Sequence, residues 1–308
     1  MSSVLASAGA FAQDEPVVPA NAKPVEVILA MSYEASRELS YTGVASWSNG
    51  LTSENIRIFH RVSEGYESER LVHLDGDLRE VIRAPVSVDC IQPGQALRRA
   101  RFSRSLNADR SQYNAQIIGE DRVAGRSVWQ IRLSPSDEYR YGQLISVDKA
   151  SGLVLRALVV NNAGEVLENF QFLDIELREV LESEVSPSSD RPFQFDESVS
   201  VCVEGRLADY SDVNWAVTDL PEGYELLSAT FDPSSQRTWL MYGDGFNTFS
   251  VFVEQGMNGR GLQTVGSMSI LMQPIIVENE PYTVTVMGDI PLETIERSVS
   301  ALRRRVSE

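Results

Sequence analysis

The chain has little of what most enzyme and metal sites are made from. Of its 308 residues, two are histidine, His60 and His73, and two are cysteine, Cys90 and Cys202. Neither histidine opens an H-E-x-x-H pair. Two thiols at this separation make neither a C-x-x-C redox pair nor a zinc finger. No metal ligand set is therefore expected. G-x-S-x-G, G-x-G-x-x-G and P-loop signatures are missing too. The spaced glycines of "YGDGFN" and "MNGRGLQ" fall between strand patterns, away from the strand-to-helix junctions where phosphate is cradled. Carboxylates are so numerous that no Asp/Glu pair stands out as a catalytic dyad. No catalytic residue, cofactor or enzyme activity is expected.

Lysine is nearly absent as well, with only Lys23 and Lys149. The remaining cations are arginine, which suits bidentate contacts to carboxylate or phosphate. A G+C-rich gene would give the same bias. The net charge of −17 would repel phosphate backbones, so nucleic acid is not an expected partner. No apolar run reaches the roughly 18 residues that a membrane span needs.

The N-terminus is small and apolar as far as Ala12, then turns acidic. Ala10-Phe11-Ala12 fits a signal-peptidase site cleaving before Gln13. Residues 1–12 thus read as the remnant of a signal peptide and 13–23 as a flexible arm, and the mature protein is expected to be exported and soluble. Export would place Cys90 and Cys202 in an oxidising compartment, where one bridge between them is an option.

A helix is expected over Pro24–Ser40, with Val27, Ile28, Met31, Ala35 and Leu39 near helical spacing. Strand patterns then dominate to about residue 180. They are separated by Asn49-Gly50, Asp75-Gly76, Pro93-Gly94, Ala124-Gly125, Asp148–Gly152 and Asn161–Gly164. Turns this short imply antiparallel neighbours. Ile56, Ile58, His60 and Val62 should share one face, and Arg57, Phe59 and Arg61 the other. Residues 95–118 read as a less regular insertion. Composition shifts to Ser, Pro and Asp at 183–212, a linker. A second, smaller unit follows over 213–308. It closes on a helix in "PLETIERSVSALRRR", whose acids come first and arginines last, as the macrodipole favours.

Two surfaces could carry function. Arg98, Arg99, Arg101 and Arg104 cluster within the insertion. They could contact an anion or an acidic partner, or form a solvated face paired with nearby acids. Trp47, Phe59, Trp129, Tyr139 and Tyr141 lie on neighbouring strands. They could line an apolar cavity or simply fill the core.

The order of several stretches resembles the RseB/MucB family of periplasmic regulators of the envelope-stress sigma factor. These are "LSYTGVASW", "RIFHRVSEG", "RLVHLDGDLREVIR", "VDCIQPG" and "YRYGQLISVDKASGLVLRALVVNNAGEVLENFQF", then "LPEGYELL", "YGDGFNTFSVFVE" and "TVMGDIPLETIERSVSAL". The likeness runs from about Val25 to Leu302. It implies an α+β fold: a larger domain (24–182) with a curved, open antiparallel sheet around helices, like a half-barrel of the LolA/LolB carriers, and a smaller C-terminal α/β domain. It also implies a partner, the periplasmic part of an RseA/MucA-type anti-sigma factor. The protein would shield that partner from regulated proteolysis and release it on sensing lipopolysaccharide or another lipid. In such a sensor, Trp47, Phe59, Trp129 and Tyr141 would receive acyl chains, and the Arg98–Arg104 segment would meet phosphate. The proline-rich linker and Cys202 depart from the family pattern. The alternative function is a periplasmic lipid or lipoprotein carrier of the LolA/LolB type. A symmetric homo-oligomer is compatible with either.

Overall fold

The structure is a computed structural model describing residues 23–88, 90–91, 112–188, 193–195, 201–202 and 213–305. The expected signal-peptide remnant and the arginines Arg98, Arg99, Arg101 and Arg104 lie outside the described residues.

Helix α1 (Val25–Glu38) follows Pro24, whose carbonyl accepts the amides of Val27 and Ile28. Its apolar side, Ile28, Leu29 and Ala35, is buried. The larger domain is a ten-stranded sheet built on β1 (Tyr41–Ser48), β2 (Ser53–Ser63), β3 (Tyr66–His73), β4 (Glu80–Ser87), β6 (Tyr113–Val123), β7 (Arg126–Pro135), β8 (Gly142–Asp148), β9 (Val154–Val160), β10 (Val166–Leu177) and β11 (Phe193–Phe195). Its order is β11-β4-β3-β2-β1-β10-β9-β8-β7-β6. The connecting turns use the residues expected of them. Ala124 and Gly125 both have positive φ, as a two-residue hairpin of this hand requires. At Gly152 (φ +83°) a Cβ would stand 2.8 Å from the Met31 carbonyl of α1, so glycine also lets this turn nest against the helix.

The sheet curls around α1. The helix touches both β2 and β6, and β10 touches β6 although three strands lie between them. A bulge in β10, where Leu173 is the extra residue opposite Val44 and Ala45 of β1, adds local bend. One half of the core joins Ile28 and Leu29 to Ile117, Ile131, Ile145 and Val147. The other joins Ala35 to Tyr41, Ile58, Leu71, Phe170 and Phe172.

The linker departs from expectation in its first residues. A short helix α2 (Glu182–Val185) leads to Ser188, whose amide and hydroxyl donate to Glu80 Oε1 at 2.6 and 3.0 Å. Glu80 is fully buried, and Arg70 binds its other oxygen at 2.7 Å. The chain then adds β11 to β4 in parallel, the one parallel pairing of this otherwise antiparallel sheet. Beyond it, β12 (Val201–Cys202) pairs antiparallel with β5 (Cys90–Ile91), setting Cys202 opposite Cys90 in the backbone register. The side chains of both cysteines lie outside the described residues.

The smaller domain is a six-stranded antiparallel sheet in the order β14-β15-β16-β19-β18-β17, formed by Glu225–Asp232, Arg237–Gly243, Thr248–Gln255, Glu280–Gly288, Met268–Val277 and Gly261–Val265 in that spatial order. Helix α3 (Leu292–Ser300) packs Ile295 and Val299 against it. A small pair, β13 (Trp215–Val217) with β20 (Leu302–Arg304), completes the core. The closing helix therefore stops before the arginine run. Leu302 is buried, so the chain leaves the helix to place it in the core, and Arg303 and Arg304 continue as strand.

Candidate functional site

The aromatic residues named as a cavity lining fall on different faces and parts of the fold. Trp47 pairs with Glu54 on the face that carries Tyr41, Ala45 and Ile58, and packs beside that core half. Phe59 pairs with Thr42 and points to the opposite face, under the Arg70 guanidinium at 5.5 Å. The strict alternation of β2 separates Phe59 from Trp47. Trp129 lies on the α1 side, with the Lys149 ammonium 3.8 Å from its ring centre. Tyr141 is buried where the two domains meet and is hydrogen-bonded to Ser269; burial raises its phenol above the ordinary value. The concave face between these residues is occupied by α1. An acyl chain reaching it would have to displace that helix or enter at the rim, where Trp47 and Trp129 stay half-buried.

The histidines are accounted for within the sheet. His60 is buried, stacks on Tyr41 at 4.8 Å and stands 3.5 Å from Glu69. Burial would raise the Glu69 carboxyl, but His60 and Arg83 outweigh it and hold it below the usual range. His73 meets Glu54 at 3.0 Å. Among the described residues no group of three or more His, Cys, Asp or Glu could hold a metal ion, and no helix is long and apolar enough to cross a membrane.

The clearest constellation is one that sequence reasoning missed: the seam between the domains. The smaller domain meets the end of the large sheet where the β1–β2, β7–β8 and β9–β10 turns lie. Arg140, between the two tyrosines of "YRYG", is fully buried there. Its Nε donates to Asp244 at 2.8 Å, and its other nitrogens donate to the Asp137 carboxylate and the Glu222 carbonyl. The guanidinium lies 4.7 Å from the Tyr224 ring centre. Tyr113 donates to Asp244 at 3.0 Å and accepts from Asn247 at 2.6 Å. The Tyr139 carbonyl accepts from Thr294 at 2.7 Å and from Tyr224 at 3.3 Å. A buried cation with this many partners fixes orientation, because removing any one strands charge in a low dielectric. Two glycines permit the approach. A Cβ at Gly223 (φ +86°) would stand 2.8 Å from Gln112, and one at Gly266 (φ +59°) 2.9 Å from Asn49. The sequence signal was an arginine flanked by two tyrosines in the β7–β8 connection. Nothing here performs covalent chemistry. The arrangement locks two sheets into one surface.

Comparison with known proteins finds likeness across both domains. Residues 24–190 match the model of the MucB/RseB N-terminal domain, and residues 209–303 that of the MucB/RseB C-terminal domain. The chain is 32% identical over 287 residues to the sigma factor AlgU regulatory protein MucB of Pseudomonas aeruginosa, covering 88% of each. It is 27% identical over 274 residues to the sigma-E factor regulatory protein RseB of Haemophilus influenzae, covering 82% of each. Its structure is similar to that of MucB solved in complex with MucA(peri), with a TM-score of 0.72 at 29% identity over 92% of this chain and 100% of that one.

Proposed function

The chain belongs to the MucB/RseB family, and from that premise we propose that it is a periplasmic regulator that binds the periplasmic part of an RseA/MucA-type anti-sigma factor. One observation carries this reading: the likeness to MucB in its MucA complex extends over both domains. A carrier of the lipoprotein type needs one receptacle and no second domain. Here the second domain is fixed to the first through a buried arginine. The partner would lie across both domains, shielded from its regulatory protease while bound.

Lipid sensing extends the same reading. The larger domain's curved sheet offers an apolar concave face, and α1 is the element that covers it. A lipid that lifts α1, or that inserts at the rim beside Trp47 and Trp129, would favour a state with altered grip on the partner. It can shift the population only by its differential affinity for the two states. The arginines 98, 99, 101 and 104 supply phosphate contacts on this account, while Phe59 and Tyr141 serve the outer face and the seam. A Cys90–Cys202 bridge, compatible with the opposed backbone register, would tie the linker to the sheet. Peptide mapping without reductant detects it as a single cross-linked pair.

Titration calorimetry of the full chain with the purified periplasmic domain of a MucA-type anti-sigma factor tests the core of the proposal. Saturable one-to-one binding is expected. Binding of lipoproteins with no binding of the anti-sigma domain would replace the regulator by a carrier.

A further inference from the structure

Elsewhere along the seam, the domains meet through two carboxyl groups. Glu168 comes from β10 of the larger domain, and Asp289 follows β19 of the smaller. Between them stands Ser267 of the β17–β18 turn, fully buried. Its Oγ lies 2.7 Å from Glu168 Oε1 and 2.9 Å from Asp289 Oδ1. A hydroxyl has one hydrogen to donate. It can satisfy one carboxylate, and its lone pairs then face the other. The second contact is a hydrogen bond only if that carboxyl itself carries the proton.

We propose that Glu168 and Asp289 hold one proton between them across the seam, clasping the two domains in mild acid and loosening this contact when the proton is lost to solvent at higher pH.

The surroundings support this. The Trp47 indole and the Ser267 amide also donate to Glu168. Just before β8, the buried Tyr141 phenol faces both carboxyls and Glu293 at the start of α3. The titratable groups that face the pair are thus acidic or phenolic; the seam's cations bind elsewhere, Arg140 to Asp244 and Asp137, and Arg297 to Asp219 and over the Tyr139 ring. Burial pushes both carboxyls above their ordinary range, opposed in each case by the Ser267 hydrogen bond. For a carboxyl raised in this way, the stabilisation is fully present below its unfolded value and is lost as pH rises through the folded one. Gly266 lets the turn come close to the large sheet: a Cβ there would stand 2.9 Å from the Asn49 Cβ and 3.2 Å from the Leu167 carbonyl. The inference concerns the contact between the domains and does not depend on the identity of the partner.

The test compares the full chain with Glu168→Gln, whose amide donates to Ser267 at every pH and so mimics the protonated group. Thermal unfolding is followed from pH 5 to pH 8. The two proteins should melt within about 1 °C of each other at pH 5, and the variant should melt about 3 °C higher at pH 8. Amide exchange in residues 262–270, corrected for its intrinsic pH dependence, should rise about tenfold per pH unit through the transition in the parent and stay flat in the variant. Curves that run parallel across the range, with no pH-dependent exchange at 262–270, overturn the proposal. Should Glu168→Gln not fold, Asp289→Asn decides by the same criteria.

Discussion

Two contacts along the domain seam bury charge by different means. At the first, Arg140 is surrounded by Asp244, Asp137 and the Glu222 carbonyl, so charge is cancelled by charge. At the second, Glu168 and Asp289 share the hydroxyl of Ser267. An arginine keeps its charge at any physiological pH, so the first contact is permanent. A carboxyl neutralised by a proton is conditional on pH. The difference shows how one interface can hold a fixed pivot beside an adjustable latch.

The comparison breaks most severely at the pivot. Arg140→Ala leaves Asp244 buried without its cation and should cost about 3–5 kcal/mol, read by denaturant unfolding as loss of a single shared transition. A cost below about 1 kcal/mol would mean that the domains are held elsewhere. A smaller effect is expected where the backbones touch. Gly266→Ala meets both a positive φ and the Cβ of Asn49, and should cost about 1–3 kcal/mol. Gly164→Ala has a positive φ but open space around it, so it should cost less. Equal costs would show that φ alone matters and that the seam contact is slack. The smallest expected effect lies away from the seam and has the opposite pH sense to the latch. Burial would raise the Glu80 carboxyl, but the hydrogen bonds from Ser188 and Arg70 hold it below the usual value. Its stabilisation is present above the unfolded carboxyl value and is lost as pH falls through the folded one. Glu80→Gln should therefore flatten the acid limb of the stability profile without altering the limb above neutrality. A change confined to the alkaline limb would contradict the tie that Ser188 and Arg70 make to Glu80.

Much of the fold was legible because local rules decided it. The turns at Asn49-Gly50, Ala124-Gly125 and Asn161–Gly164 need positive φ and carry glycine where it is needed. The alternation in β2 placed Ile58 and Phe59 on opposite faces, as the register shows. What sequence could not display depends on distant partners. The parallel strand β11 forms because Ser188 finds Glu80, 108 residues away in the chain. The arginines after Leu302 looked helical by charge order, but burial of Leu302 takes precedence. Grouping Phe59 and Tyr141 with Trp47 and Trp129 followed strand proximity and ignored the face each side chain takes. The pivot itself was in plain view within "YRYG", yet its meaning depends on Asp244, which lies 104 residues away.

We propose that both domains together hold an anti-sigma factor and shield it. The most direct measurement is the cleavage rate of the purified anti-sigma periplasmic domain by its regulatory protease, with this protein present, and then with lipopolysaccharide added. Cleavage should be suppressed in the presence of the protein and restored by the lipid. Cleavage at the unprotected rate, with the protein present at saturating concentration, would contradict the account.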